Sequence, residues 1–245
     1  MNAATWLEGN IAVAAALAAQ SRAVHAVYVQ RNKLNRETRR LRKLAEAAQV
    51  PFEMASPEFI SEHAQGKTHG GVLASVGPRR MLTLADLLAG GTRPFIVMLD
   101  GVEDPFNFGQ AVRSLYAAGA TGLVLPPRNW MTAASVVARA SAGASEWMPT
   151  AMAESAKAAA DFFRAQGLVI AGTAAEKTAV SIYEADLTGP LFLLVGGEKR
   201  GITRSFWQQE DLRLTIPYGR EFRRSLGVTA STAVIAFEIA RQRRA

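Results

Sequence analysis

The sequence has no cysteine. That excludes disulfides and cysteine-ligated metal, and fits an intracellular protein. Histidine is nearly as scarce. His25, His63 and His69 are the only three, and their spacing does not suit a metal site, so no metal is expected. His25 reads as a structural residue on an apolar strand, and His69 beside Gly70 as a weak candidate for ligand contact. No histidine follows residue 69, so Ser225 lacks the partner that a hydrolase triad needs. Apolar runs are short. The Ala-rich stretch 10–19 cannot span a bilayer, and with Glu8 and no basic region before it, it is unlike a signal peptide. A soluble cytoplasmic protein without membrane attachment is expected. Phosphate-loop signatures are missing too: Gly101 and Gly109 are too far apart for a dinucleotide fingerprint, and no Gly-Lys-Ser/Thr closes Gly196–Gly201.

Negative charge is also in deficit. Against 28 Lys and Arg stand 21 Asp and Glu, a net charge of +7 with a pI near 10.1. This balance favours an anionic partner such as nucleic acid, with a basic solvated surface as the plainer alternative. The remainder is ordinary for a globular protein, with 49% apolar and 20% charged residues. A chain of 245 residues makes one large domain or two small ones.

The pattern along the chain favours two. Residues 8–21 read as a helix and 23–30 as a strand. The charge run 31–43 carries Arg36, Arg39, Arg40 and Lys43, with Leu34, Leu41 and Leu44 on one apolar side. Its basic face is either merely solvated or a phosphate-contacting surface. A strand at 51–54, a helix at 57–62 and a strand at 70–76 complete a small α/β domain, 1–80. Residues 81–93 read as a linker, with a short helix capped by Thr83 and Asp86. From residue 94 to 245, apolar strands at 95–99, 122–125, 168–171, 191–195 and 212–216 alternate with helices at 107–118, 132–142 and 154–166. Such alternation predicts a parallel sheet with helices on both faces, whose ligand binds at the carboxyl ends of its strands. Asp100, Gly196 and Pro217 stand at such ends.

Three segments near those ends carry polar groups. Asp104-Pro105-Phe106-Asn107-Phe108-Gly109 opens a helix that also bears Arg113. The free amides of a helix N-terminus suit a phosphate or sugar oxygen, or else Asn107 simply caps the helix. Gly196-Gly197-Glu198-Lys199-Arg200-Gly201 follows the strand at 191–195 and, alone, is a weak signal. Ile216-Pro217 leads through Arg220, Arg223 and Arg224 to Ser225-Leu226-Gly227-Val228-Thr229, and an apolar helix follows from 228 to 239.

Together, in this order and spacing, the three segments resemble motifs 1, 2 and 3 of the SpoU-type RNA ribose 2′-O-methyltransferases of the SPOUT superfamily. Ser141-Ala142-Gly143-Ala144 between them also matches. Gly9-Asn10-Ile11-Ala12 and His69-Gly70-Gly71-Val72 make the first domain resemble, more loosely, the family's small ribosomal-protein-like substrate-binding domain. The resemblance implies a deep C-terminal trefoil knot, a homodimer and S-adenosylmethionine as cofactor, held by loop backbone at Gly196, Ile216 and Leu226. It implies catalytic roles for Asn107, Arg113, Glu198 and Ser225, and structured RNA as substrate, 23S rRNA ahead of tRNA. Arg36, Arg39, Arg40, Lys43, Arg223 and Arg224 would contact that RNA. Two departures stand out: Gly227 occupies the usual Asn position of motif 3, and the loop before it is longer by about one residue. Gly227 keeps open a second reading, a non-catalytic RNA-binding or ribosome-assembly factor on the same scaffold.

Overall fold

The computed structural model describes residues 5–66, 68–127, 133–174, 176, 178–197, 201–208 and 211–244. The chain begins β1 (Thr5–Glu8), α1 (Asn10–Ala19), β2 (Arg22–Gln30), α2 (Arg36–Ala47), β3 (Phe52–Ala55), α3 (Pro57–His63) and β4 (Val72–Arg79). It continues β5 (Phe95–Asp100), α4 (Pro105–Ala117), β6 (Gly122–Leu125), α5 (Ala134–Ala140), α6 (Ala144–Trp147), β7 (Thr150–Met152), α7 (Ala156–Ala165) and β8 (Val169–Thr173). Then come β9 (Val180–Ser181), β10 (Leu191–Gly196), β11 (Leu212–Thr215) and α8 (Val228–Arg244). The chain clusters into two units, 1–80 with 129–147, and 81–128 with 148–245.

The first unit holds a four-stranded sheet in the order β1-β4-β2-β3, with only the β2–β3 pair parallel. β1 was not expected as a strand, and its last residue, Glu8, lies at the start of the helix expected over 8–21. Gly9, at φ 86°, turns the chain from β1 into α1, and its N–H donates to the Val72 carbonyl at 2.9 Å. α1 and α2 bury Val13, Leu17 and Leu41 against Val27, Val29 and Val76 of the sheet. α2 starts where it does because Asn35 and Thr38 cap reciprocally. The Asn35 side chain accepts from the Glu37 and Thr38 amides, and Thr38 Oγ1 accepts from the Asn35 amide at 2.8 Å. Leu34 therefore precedes the helix and is 55% exposed instead of joining Leu41 in the core. His25 is exposed on β2, not packed, and His69 accepts the Gly71 amide through Nδ1 at 3.0 Å as part of a turn.

Residues from 129–147, expected in the second domain, are held in the first unit by charge. Glu146, whose side chain is 1% exposed, accepts from Arg22 Nε at 2.9 Å and Nη2 at 2.8 Å, and from the Ser21 hydroxyl. Burial pulls the nearby Arg79 guanidinium down to about 10, while the Glu146 carboxylate opposes that fall. Gly143, at φ 81°, passes so close to α1 that an added Cβ would lie 2.7 Å from Ala15 Cβ.

The second unit is a seven-stranded, wholly parallel sheet in the order β7-β6-β5-β10-β8-β11-β9. Its short strands β7 and β9 carry too little apolar pattern to be read from sequence. The central strands β5 and β10 are buried from Phe95 to Leu99 and from Leu191 to Val195, as strands covered on both faces must be. On one face α7 stacks Phe163 on Phe192 at 4.9 Å between ring centroids. α4 and α8 pack on each other. The stretch expected as a linker contributes to this unit, since Leu82 donates to Thr150 at 2.8 Å and Leu87 is buried in the core. At the far end of α8, Gln242 accepts the Leu187 amide and donates to the Ile182 and Ala185 carbonyls. Arg243 donates to the carbonyls of Leu187, Gly189 and Arg93.

Replacing Glu146 by Ala strands the buried Arg22 guanidinium. Removing one partner of such a pair is expected to lower the first unit's unfolding free energy by about 3–5 kcal/mol in a urea titration. A loss below about 1 kcal/mol contradicts the pairing.

Candidate active site

The site is built at the carboxyl ends of the central strands. β5 and β10 run in register, so Asp100 and Gly196 end them side by side. The Gly197 amide donates to the Asp100 carbonyl at 2.7 Å, and the Gly201 amide to the Gly197 carbonyl at 3.0 Å. A Cβ on Gly197 would sit 2.2 Å from the Gly101 carbonyl oxygen, and one on Gly196 would sit 2.8 Å from the Gly201 carbonyl carbon. Gly101 and Gly201 themselves take φ of 72° and 58°. Glycine is thus required here for backbone-to-backbone approach of two loops. Glu198 falls outside the described residues.

Beside these loops lies a cavity of about 860 Å³ at the ends of β8, β10 and β11. Gly196, Ile216, Ser225, Leu226, Arg223 and Arg224 all line it. Two further lining residues escaped the sequence reading. The Thr173 hydroxyl accepts the Gly196 amide at 3.3 Å, fixing the end of β10. The Tyr218 phenol oxygen accepts the Leu226 amide at 3.0 Å, closing the loop between β11 and α8 on itself. A tyrosine directly after Ile216-Pro217 was the available signal. The volume falls among small-molecule sites, which run to about 300–1,000 Å³. Glycine backbone and apolar side chains on its wall suit a ligand with an apolar ring and several polar atoms. Among the described residues, no group of His, Cys, Asp and Glu could hold a metal ion.

Asn107 and Arg113 are placed differently. Both sit on α4, and neither is among the described residues lining the cavity. Asp104, not Asn107, caps α4: its carboxylate accepts the Phe106 and Asn107 amides, each at 3.2 Å. The helix end therefore already holds an anion, which argues against a second one on those amides. The Asn107 carbonyl accepts the Thr229 hydroxyl at 3.4 Å, tying α4 to the start of α8, and Arg113 is exposed. The Gly227 carbonyl accepts the Ser231 amide at 3.0 Å as α8 begins. In the first unit, Arg36, Arg39, Arg40 and Lys43 are all exposed on α2.

Residues 94–237 match the model of the SpoU rRNA methylase family. The chain belongs to that family. Residues 6–82 of this SpoU methylase match a second model, RNA 2′-O ribose methyltransferase substrate binding. The 23S rRNA (guanosine-2′-O-)-methyltransferase RlmB of Shewanella oneidensis is 34% identical over 85% of this chain and 87% of its own. Its namesake in Pseudomonas putida is 33% identical over 95% of this chain and 94% of its own. Among solved structures, the SpoU methyltransferase AviRb from Streptomyces viridochromogenes, in complex with the cofactor AdoMet, superposes with a TM-score of 0.80 at 22% identity. That match covers 98% of this chain and 90% of AviRb, and it is a likeness of fold. The TrmH/SpoU tRNA modifying enzyme of A. aeolicus gives a TM-score of 0.56 at 27% identity, over 66% of this chain and 82% of its own.

In this SpoU methylase, Gly197 in the loop after β10 and Gly219 in the loop between β11 and α8 are expected to respond differently to substitution. Gly197→Ala drives a methyl group into the Gly101 backbone and is expected to cost about 1–3 kcal/mol of stability. Gly219, with open space about its Cα, should accept Ala with a melting temperature close to wild type. Equal melting temperatures for both variants would refute the close loop contact.

Proposed function

We propose that this chain transfers the methyl group of S-adenosylmethionine to a ribose 2′-hydroxyl of 23S rRNA. The observation that carries the reading is the convergence of Gly196, Ile216, Ser225 and Leu226, from two separate motifs, on one cavity of small-molecule size. The substrate follows from the family and from relatives named 23S rRNA (guanosine-2′-O-)-methyltransferase over most of their length. Bound S-adenosylmethionine supplies a methyl group already activated on a sulfonium centre. What remains for the protein is to hold the ribose in line and to let its hydroxyl proton leave.

Gly196, Ile216 and Leu226 hold the cofactor on the cavity wall. Asn107, Arg113, Glu198 and Ser225 serve the RNA side. Arginine stays protonated at neutral pH and is a poor base, so Arg113 acts by binding the phosphate next to the target ribose. Asn107 and Glu198 orient Arg113 and the sugar. Residues 1–80, with 129–147 in the same unit, form the ribosomal-protein-like RNA-binding domain, and 81–128 with 148–245 carry methyl transfer. Exposed Arg36, Arg39, Arg40 and Lys43 on one helix support phosphate binding by the first of these. The C-terminal part is tied in a deep trefoil knot. That reading is supported by β10, late in the chain, lying between β5 and β8, and by the return of α8 onto α4. The protein works as a homodimer, for which Phe106, Val234 and Phe237, 53%, 36% and 50% exposed on α4 and α8, supply apolar surface. An rRNA substrate places the reaction in the cytoplasm.

Incubation with S-adenosylmethionine and unmodified 23S rRNA is expected to protect one ribose-phosphate bond from alkaline cleavage. Methylation of tRNA alone would overturn the substrate, and cofactor binding without methylation of any RNA would overturn the activity. Arg113→Ala should lower kcat about 100-fold, through lost positioning, with cofactor affinity unchanged. Replacing Arg36, Arg39, Arg40 and Lys43 together by Ala should weaken RNA binding and flatten its salt dependence by up to about three units of slope. An unchanged slope would move the RNA off α2.

A further inference from the structure

The loop between β11 and α8 contains two aromatic residues whose rings are left largely exposed. Tyr218 is 41% exposed and Phe222 57% exposed, yet both line the cavity. Their ring centroids lie 6.1 Å apart with planes at 55°. Tyr218 is fixed in place by the bond between its phenol oxygen and the Leu226 amide. In sequence Phe222 is flanked by Arg220, Arg223 and Arg224, all exposed, and Glu221 is the only acid of the 217–227 loop. Glu221 lies 3.5 Å from Arg223, but with side chains 83% and 90% exposed that pair holds little charge back from solvent.

Aromatic faces interleaved with arginines are how proteins take unstacked bases of RNA. The rings supply a sequence-tolerant stacking surface, and the cations meet the flanking phosphates. We propose that Tyr218 and Phe222 form the stacking site for the base of the nucleotide being methylated, with Arg223 and Arg224 on its adjoining phosphates. The inference rests on the methyltransferase reading. It adds that the target nucleotide is presented unstacked, with its base on the outer wall of the same cavity that takes the cofactor. Charge decides against a second copy of the chain as the occupant. A two-fold contact through this loop would bring its three arginines against their own counterparts, at a cost.

Steady-state methylation of unmodified 23S rRNA by wild type, Phe222→Leu and Phe222→Trp tests the site. Leucine keeps apolar bulk without a ring face, whereas tryptophan keeps the face. Phe222→Leu is expected to raise KM for the RNA about 10-fold or more, and Phe222→Trp to stay within about threefold of wild type. Cofactor affinity, measured by calorimetry, and melting temperature should match wild type in both. An unchanged RNA KM in Phe222→Leu overturns the stacking site. So does a loss confined to cofactor affinity, or dissociation of a dimer on size-exclusion chromatography. If wild type itself methylates no 23S rRNA, the proposed substrate fails first, a result distinct from a wild type that is active and a Phe222→Leu variant that is equally so.

Discussion

The contact of Gly197 with Gly101 sets the geometry on which the rest of the second unit depends. β5 and β10 are far apart in sequence but adjacent in the sheet, and each must release its chain at the same edge. With a side chain on Gly197, the two loops would have to separate, because its Cβ would overlap the Gly101 carbonyl at 2.2 Å. On its other side β10 pairs with β8, which sets Gly196 beside the end of that strand, where the Thr173 hydroxyl accepts the Gly196 amide. Interiors this tightly packed transmit a local displacement instead of absorbing it. A shift at Gly197 therefore reaches the cavity wall directly.

The same constraint explains which parts of the molecule were legible in the sequence. Buried parallel strands must be apolar throughout, so β5, β8, β10 and β11 stand out as short runs ending in Gly, Asp or Thr. Helices α2, α4 and α7 announce themselves through caps or amphipathic spacing. β7 and β9 do not, because three and two residues are too few to show a pattern. β1 was not read as a strand because four residues show little pattern, and its last residue, Glu8, was taken into the helix reading 8–21 across the break at Gly9. In the site, the glycine loops were visible as glycines, but their reason was not. Neither glycine's need can be seen without the facing backbone. Tyr218 was visible as a tyrosine after Ile216-Pro217, but its role was not, because that rests on a bond to Leu226, eight residues on, that no local pattern encodes.

Charge is distributed with a comparable division of labour. In the first unit the buried pair of Arg22 with Glu146, and the half-exposed Arg139 on buried Glu8, fix residues of 129–147 to the small sheet. Such pairs gain little over apolar packing but are costly to break, which favours one arrangement over others. The arginines of α2 and of the 217–227 loop are exposed, and exposed cations hold phosphate through release of counterions. Net charge alone could not distinguish these two populations.

Gly227 can be placed by the same physics. By the resemblance of its motif 3, an amide side chain is expected where this chain has Gly227, with a loop before it shorter by about one residue. A longer loop has more conformations to lose, at a cost that grows only slowly with length. The Tyr218–Leu226 bond removes much of that freedom from within the loop, immediately before Gly227 and the start of α8. At its other end α8 is fixed by Gln242 and Arg243, whose bonds run to backbone of 182–189 and Arg93. The motif 3 segment is thus stretched between two anchors, one in the loop and one at the helix terminus. Leu226 and Ser225 keep a defined position on the cavity wall without the amide. Loss of that amide therefore removes a hydrogen-bonding group from the site but not the ordering of the loop that presents it.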